Sequence, residues 1–206
     1  MTLRFSSGNL RHKSKFPWKR QIGILLLVFL PVITTDSLRA EPFTKIQLAA
    51  GPLYNIGEND FNRYWRYANG MGVQAQTPFY FGAAELGIEL RSFDGYNSVD
   101  FQQVYCYLAF LKELTLHQNI SGNCGISVGN SLFRFDSEEN RRLQNESELT
   151  LGLKAGVTVL LKNYFTIQMG LSHLKIYTYH PITMTNVGLT VGIRMDTPEW
   201  LRNFLK

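Results

Sequence analysis

Residues 149 to 161 put an apolar side chain at every second position: Leu149, Leu151, Leu153, Ala155, Val157, Val159 and Leu161. Between them stand Thr150, Gly152, Lys154, Gly156 and Thr158, preceded by Glu148. A period of two is the period of an extended strand, whose successive side chains point to opposite faces. The same alternation returns at Phe165–Leu171, Ile120–Val128, Leu86–Leu90, Ile46–Ala50, Met71–Ala75 and Leu189–Met195, and no long segment carries a helical period. The pattern predicts an all-β chain of eight strands, near 43–54, 64–77, 79–93, 99–111, 118–135, 146–161, 163–177 and 184–195. The fourth is apolar on both faces.

The connections alternate in length. Short ones follow strands two, four and six: Thr77-Pro78, a turn around Lys112–His117, and Lys162-Asn163. Longer polar ones, Asn55–Arg63, Asp94–Ser98, Asp136–Glu146 and Thr178–Ile182, follow strands one, three, five and seven. Such segments are solvated and lie at the surface.

The first forty residues follow another logic. Residues 1 to 20 hold Arg4, Arg11, Lys13, Lys15, Lys19 and Arg20 with no acid, and Ile22–Ile33 is almost wholly apolar. A basic region, a short apolar run and a small residue at Ala40 describe a secretory signal peptide. The run is short for a spanning helix, which needs about 20 apolar residues; an uncleaved inner-membrane anchor is the competing reading. The net charge of +5 belongs to this segment, which holds seven of 21 Lys+Arg and one of 16 Asp+Glu. The remainder carries 14 basic against 15 acidic residues, or −1. The basic balance therefore gives no argument for nucleic-acid binding.

Three features decide which face of the strands is oily outside. Several segments run about ten residues or more, the 9–11 that a tilted strand needs to cross a bilayer, whereas soluble strands usually run five or six. The polar face mixes small residues with Lys45, Glu85, Glu89, Arg91, Glu148, Lys154 and Arg194. That mixture suits the crowded interior of a narrow eight-stranded barrel. Aromatic residues gather at strand ends: Tyr54, Tyr64, Trp65, Tyr67, Phe93, Phe133, Phe135 and Tyr177 at one, Phe79, Tyr80, Phe81, Phe110, Tyr164 and Phe165 at the other. Girdles of this kind mark the interfaces of a membrane barrel. The apolar face then meets lipid, and only closure of the sheet pairs every backbone group there. A soluble lipocalin-like barrel is the alternative.

Over residues 43 to 195 the chain resembles the small eight-stranded outer-membrane β-barrel proteins of OmpA/OmpX type. The resemblance is one of architecture. It implies an antiparallel up-and-down transmembrane barrel at 41–195 behind a signal peptide at 1–40, in the outer membrane of a Gram-negative cell. It also implies outer-membrane lipid or lipopolysaccharide and the barrel-assembly machinery as partners, with an extracellular ligand for the outer loops as a further option. Members of this class typically end the last strand on an aromatic residue; here it ends on Met195. The tail at 196–206 reads as a short amphipathic helix with Thr197 as cap, Pro198 in its first position and Trp200, Leu201 and Phe204 on one face.

The seven inward charges are the best-defined constellation. They are expected to pair across the lumen and close it, because an unpaired buried charge costs several kcal/mol; a narrow passive pore is the functional alternative. Glu85 and Glu89 lie about 13 Å apart along one strand, too far to act as a hydrolytic pair. Some outer-membrane barrels modify lipid A with a His/Ser pair. Ser172 and His173 are adjacent, hence on opposite faces, and the deacylase His-x-Ser spacing is absent. His117 falls in a turn and His180 in the last loop, and no His/Cys/Asp spacing suggests a metal or cofactor site. If the fourth hairpin turns about Thr115, Cys106 faces Cys124 and a disulfide fits; a turn one residue shorter sets them on opposite faces.

Overall fold

The computed structural model describes residues 42–56, 62, 64–96, 99–136, 144–162, 164–179 and 181–205. Residues 1–40, where an export signal is expected, His180 and most of the longer connections lie outside the described residues. Eight strands follow in chain order: β1 (Lys45–Asn55), β2 (Trp65–Phe79), β3 (Gly82–Gly95), β4 (Phe101–His117), β5 (Ile120–Phe135), β6 (Gln144–Leu161), β7 (Phe165–Ile176) and β8 (Ile182–Asp196). Each pairs antiparallel with its sequence neighbours, and β8 closes onto β1.

The register fixes the tilt. From Asn55 the paired positions run through Asn186, Ser172, Lys154, Gly125, Leu111, Ala83 and Pro78. Continuing the β1–β2 register by two residues returns to Lys45, a displacement of 55 − 45 = 10 residues. Ten residues of slip around eight strands incline them by roughly 40° to the barrel axis, within the usual range.

The oily face is outside. Leu86, Leu108, Ile126, Met169 and Val191 are each more than half exposed, while their alternates Glu85, Ala109, Ser127, Gln168 and Thr190 are buried. A chain that buries its polar face and presents its apolar one is a transmembrane β-barrel. Three short turns, the start of β1 and the end of β8 lie on one side of it, the turn side; the strand ends joined by the long connections lie on the other, the loop side.

Three expectations are corrected. The fourth hairpin turns at Gln118-Asn119, beyond Thr115, because pairing continues past a bulge to His117 and Ile120. The loop-side aromatic residues do not form one lipid-facing girdle. Tyr54, Tyr64 and Tyr177 are exposed, but Phe93 and Phe133 are buried inside the barrel with Trp65, Tyr67 and Phe135 packed against their cluster. In β2 a bulge between Tyr67 and Asn69 swaps the faces, so Trp65 and Tyr67 turn inward although Met71 and Val73 point out. Finally, α1 (Glu199–Leu205) is not capped by the Thr197 hydroxyl. The Thr197 amide instead donates to the Thr44 carbonyl, and the Pro198 carbonyl accepts the first helical bonds from Leu201 and Arg202, both at 3.0 Å. Trp200 projects from this helix, 71% exposed.

Candidate functional site: the filled lumen

The lumen is built from one side chain in two of every strand, and its contents change along the axis. Near the turn side, Arg194 donates to Gln47 Oε1 at 3.1 Å and Gln76 donates to Glu113 Oε1 at 2.6 Å. Above them Gln74 of β2 reaches across the lumen to Gln168 of β7, Nε2 to Oε1 at 2.7 Å.

The next layer holds charge. Glu85 of β3 forms an ion pair with Lys154 of β6 across the barrel. The same Glu85 Oε1 accepts the Tyr107 hydroxyl at 2.9 Å, and Lys154 Nζ lies 4.1 Å from the centroid of the Tyr107 ring. Gly87 makes room for that ring: a Cβ there would meet Tyr107 atoms at 2.3 Å. Four residues along β3, Glu89 pairs with Arg91 on the same face of the strand. Arg91 also donates to Gln103 Oε1 at 3.1 Å, Gln103 to Ser131 Oγ at 2.9 Å, and Ser131 meets Thr150 Oγ1 at 2.8 Å. These residues are almost wholly buried, with Arg91 1% exposed and Gln103, Ser131 and Thr150 all 0%. The chain of partners offsets part of the desolvation cost that such burial imposes.

At the loop side the lumen is apolar. Phe93 stacks on Phe101 with ring centroids 4.6 Å apart and planes 12° from parallel. Phe101 also meets Trp65 edge-on at 5.3 Å, Phe133 at 5.8 Å and Phe135 at 5.5 Å. Leu174, Ile176 and Met184, each 0% exposed, complete the cluster from β7 and β8.

The seven anticipated charges divide accordingly. Glu85, Glu89, Arg91 and Lys154 come together in the middle of the lumen. Lys45 is exposed at the turn-side rim, where its strand partner is Asp196. Arg194 is half-buried, donates to the neutral Gln47 and lies within electrostatic reach of Glu113. Glu148 is half-buried near the loop side, and among the described residues no ion pair reaches it. Alternation identified all seven as inward, but strand height decides which of them meet.

Residues that the pattern did not single out hold the pairs in place. Tyr105, Tyr107 and Gln103 lie on β4, whose two faces look alike in sequence because tyrosine counts as apolar. Their signal is the i, i+2 spacing of Gln103, Tyr105 and Tyr107 against Val104, Cys106 and Leu108. Glu113, which the pattern places in a turn, extends β4 into the lumen.

Both cysteines are free. Both face outward, but Cys106 stands opposite Asn130 and Cys124 opposite Lys112, so they sit about 20 Å apart along the hairpin. The disulfide that a turn about Thr115 would allow does not form, because the hairpin turns later, and the alternative of two unpaired outward thiols holds. Ser172 points into the lumen, 7% exposed, while His173 points out and meets Thr185 Oγ1 through Nδ1 at 2.9 Å. This geometry gives no nucleophile–base contact between them. Among the described residues no group of three or more His, Cys, Asp or Glu side chains is placed to hold a metal.

No protein-family model and no curated protein matches the sequence. Solved structures do match in fold. The Pseudomonas aeruginosa outer-membrane protein OprG superposes with a TM-score of 0.54 at 10% identity, covering 75% of this chain and 97% of that one. Ail, the attachment invasion locus protein of Yersinia pestis, gives 0.52 at 11% identity over 74% and 99% of the two chains, in a crystal with the heparin analogue sucrose octasulfate. Neisserial surface protein A gives 0.51 at 10% identity over 73% and 95%. At such identities the likeness is one of fold, and it agrees with the closed sheet and the inverted burial: this chain has the architecture of the small eight-stranded outer-membrane β-barrel proteins.

Proposed function

We propose that this protein is an outer-membrane barrel with a closed lumen, serving a structural or surface-interaction role. Residues 1–40 direct export, the barrel-assembly machinery inserts the sheet, and lipid or lipopolysaccharide wets its outer wall. The turn side faces the periplasm, and the long connections face outward, where an extracellular ligand would be met. The observation that carries the closed state is the filling of the lumen by two successive blocks, a hydrogen-bonded charge layer and then the Phe93–Phe101–Phe133 cluster. The charges occupy the width of the lumen, and a desolvated ion entering the aromatic block would find no partner there.

Purified protein in planar lipid bilayers tests this reading. The expected record is flat; a steady ion current would replace the closed barrel with a passive pore. Fractionation should place the protein with outer membranes, and unboiled samples should migrate differently from boiled ones on gels. Lipid A mass spectra of expressing cells should be unchanged, in keeping with Ser172 and His173 on opposite faces; a shifted lipid A mass would establish the lipid-modifying alternative.

A further inference from the structure

The two ends of the lumen treat water differently. Among the described residues, seven lumenal side chains have a buried polar atom with no protein partner, and five lie in the turn-side half: Gln47, Gln76, Glu85, Thr166 and Thr190. The exceptions, Arg91 and Asn186, lie higher. Glu85 is 1% exposed, and while its Oε1 is engaged by Tyr107 and Lys154, its Oε2 has no partner. It borders a cavity of about 40 Å³ that Gln74, Asn123, Gln168, Ser172 and Thr190 also line. Leu53 and Leu111 complete its wall, and a cavity of that size has room for about three water molecules beside the polar groups that face it. Several of its walls have surface that a water-sized sphere can touch: Thr190, Gln168 and Asn123 are 7–8% exposed, whereas Ser131, Thr150 and Gln103 on the loop side of the charge layer have none.

A buried carboxylate oxygen, amide or hydroxyl left without a partner is destabilising, so five of them in one compartment favour hydration of that compartment. Hydration requires an entry. The loop-side entry is blocked by packed rings and aliphatic side chains that offer water no hydrogen bond. The turn-side entry is lined by long amides and Arg194, which can hand a water or small ion from partner to partner. Apolar constrictions exclude ions by dewetting, a stronger barrier than a polar network that can rearrange.

We propose that the turn-side half of the lumen is a blind vestibule that admits water and water-sized ions up to the Glu85–Lys154 pair. The seal is the aromatic cluster on the loop side, not the ion pairs. This deepens the closed-barrel reading and rests on it.

The test uses the full barrel in detergent with Cys106→Ala and Cys124→Ala, carrying either Thr190→Cys or Ser131→Cys. Silver ion, close to water in size, is the thiol probe, in nitrate buffer because chloride would precipitate it. The silver adduct is followed by mass spectrometry, on samples whose unboiled gel migration shows a folded barrel. Thr190→Cys should react at least tenfold faster than Ser131→Cys. Adding Phe101→Ala, or the milder Phe93→Leu should the first not fold, should raise the Ser131→Cys rate by a similar factor. Equal rates at the two positions overturn the proposal, as does a Thr190 thiol that reacts only after unfolding. A Ser131 thiol that stays protected when the cluster is trimmed overturns the assignment of the seal. A current through the unmodified barrel in bilayers is a separate result: it sinks the closed-barrel reading itself.

Discussion

The loop-side and turn-side halves of this lumen solve the same packing problem with opposite chemistry. Both are enclosed by the same eight strands at the same tilt, so the available width is alike. The loop-side half fills it with Phe93, Phe101, Phe133, Leu174, Ile176 and Met184, which pack without needing partners. The turn-side half fills it with amides, hydroxyls and charges, several of which keep a polar atom unpartnered. In the first, stability comes from contact area and ring geometry. In the second it depends on pairing and on solvent. The difference teaches that "inward and polar" is not a property of a barrel interior as such. Interior character is set layer by layer.

The border between the halves is where that contrast is easiest to break. Glu89→Ala would leave Arg91 buried with Gln103 as its remaining partner, at a cost of about 3–5 kcal/mol. Replacing both Glu89 and Arg91 by Leu should recover most of that loss, extending the apolar block downward. Urea unfolding of the barrel in lipid vesicles measures both, and a double variant as damaged as the single one would refute the layer-by-layer view. Phe101→Ala should cost about 3 kcal/mol in the same assay, the low end for a buried ring because the mouth can relax. An effect below about 1 kcal/mol would mean that the aromatic cluster adds little to stability.

Outside the barrel the contrast becomes one of depth. Ile126→Arg places a charge in the middle of the apolar belt and should cost about 2–4 kcal/mol, whereas Leu132→Arg near the loop-side rim should cost at most about 1 kcal/mol. Both residues are exposed and face outward on β5. Equal penalties would argue against lipid on this face. The smallest effect belongs to the turn-side lumen: Thr190→Val removes a hydroxyl with no protein partner and should change stability by less than about 1 kcal/mol. A larger loss would assign that hydroxyl an unseen, strong partner.

How far the sequence carries can be judged from particular residues. Period two located all eight strands, seven of them to within three residues at each end and β4 six residues short, and for most of them it also told which side chains face in, as at Thr190 between Leu189 and Val191. It failed where the period is interrupted. The bulge at Ala68 inverts Trp65 and Tyr67 relative to the rest of β2, and nothing in the local composition announces it. It was also silent where both faces look apolar, which hid Tyr105 and Tyr107 on β4. Turn placement was the costliest uncertainty: a hairpin assigned to Thr115 and formed at Gln118-Asn119 moves every partner along β4 and β5, and with them the two cysteines.

By itself, then, the sequence determined the all-β class, the strand number, the lipid-facing wall and the four charges that meet in the middle of the lumen, while Glu113 escaped it. All of these follow from alternation and length, which are local. Only the tertiary structure decided that Glu85 meets Lys154 while Lys45, Glu148 and Arg194 stand apart, and that the loop-side rings fill the lumen rather than gird it. Those outcomes depend on register and on the ten-residue slip around the barrel. Register sets the height at which residues far apart in the chain confront one another, and hydrogen bonds between strands choose it collectively, not any single stretch of residues.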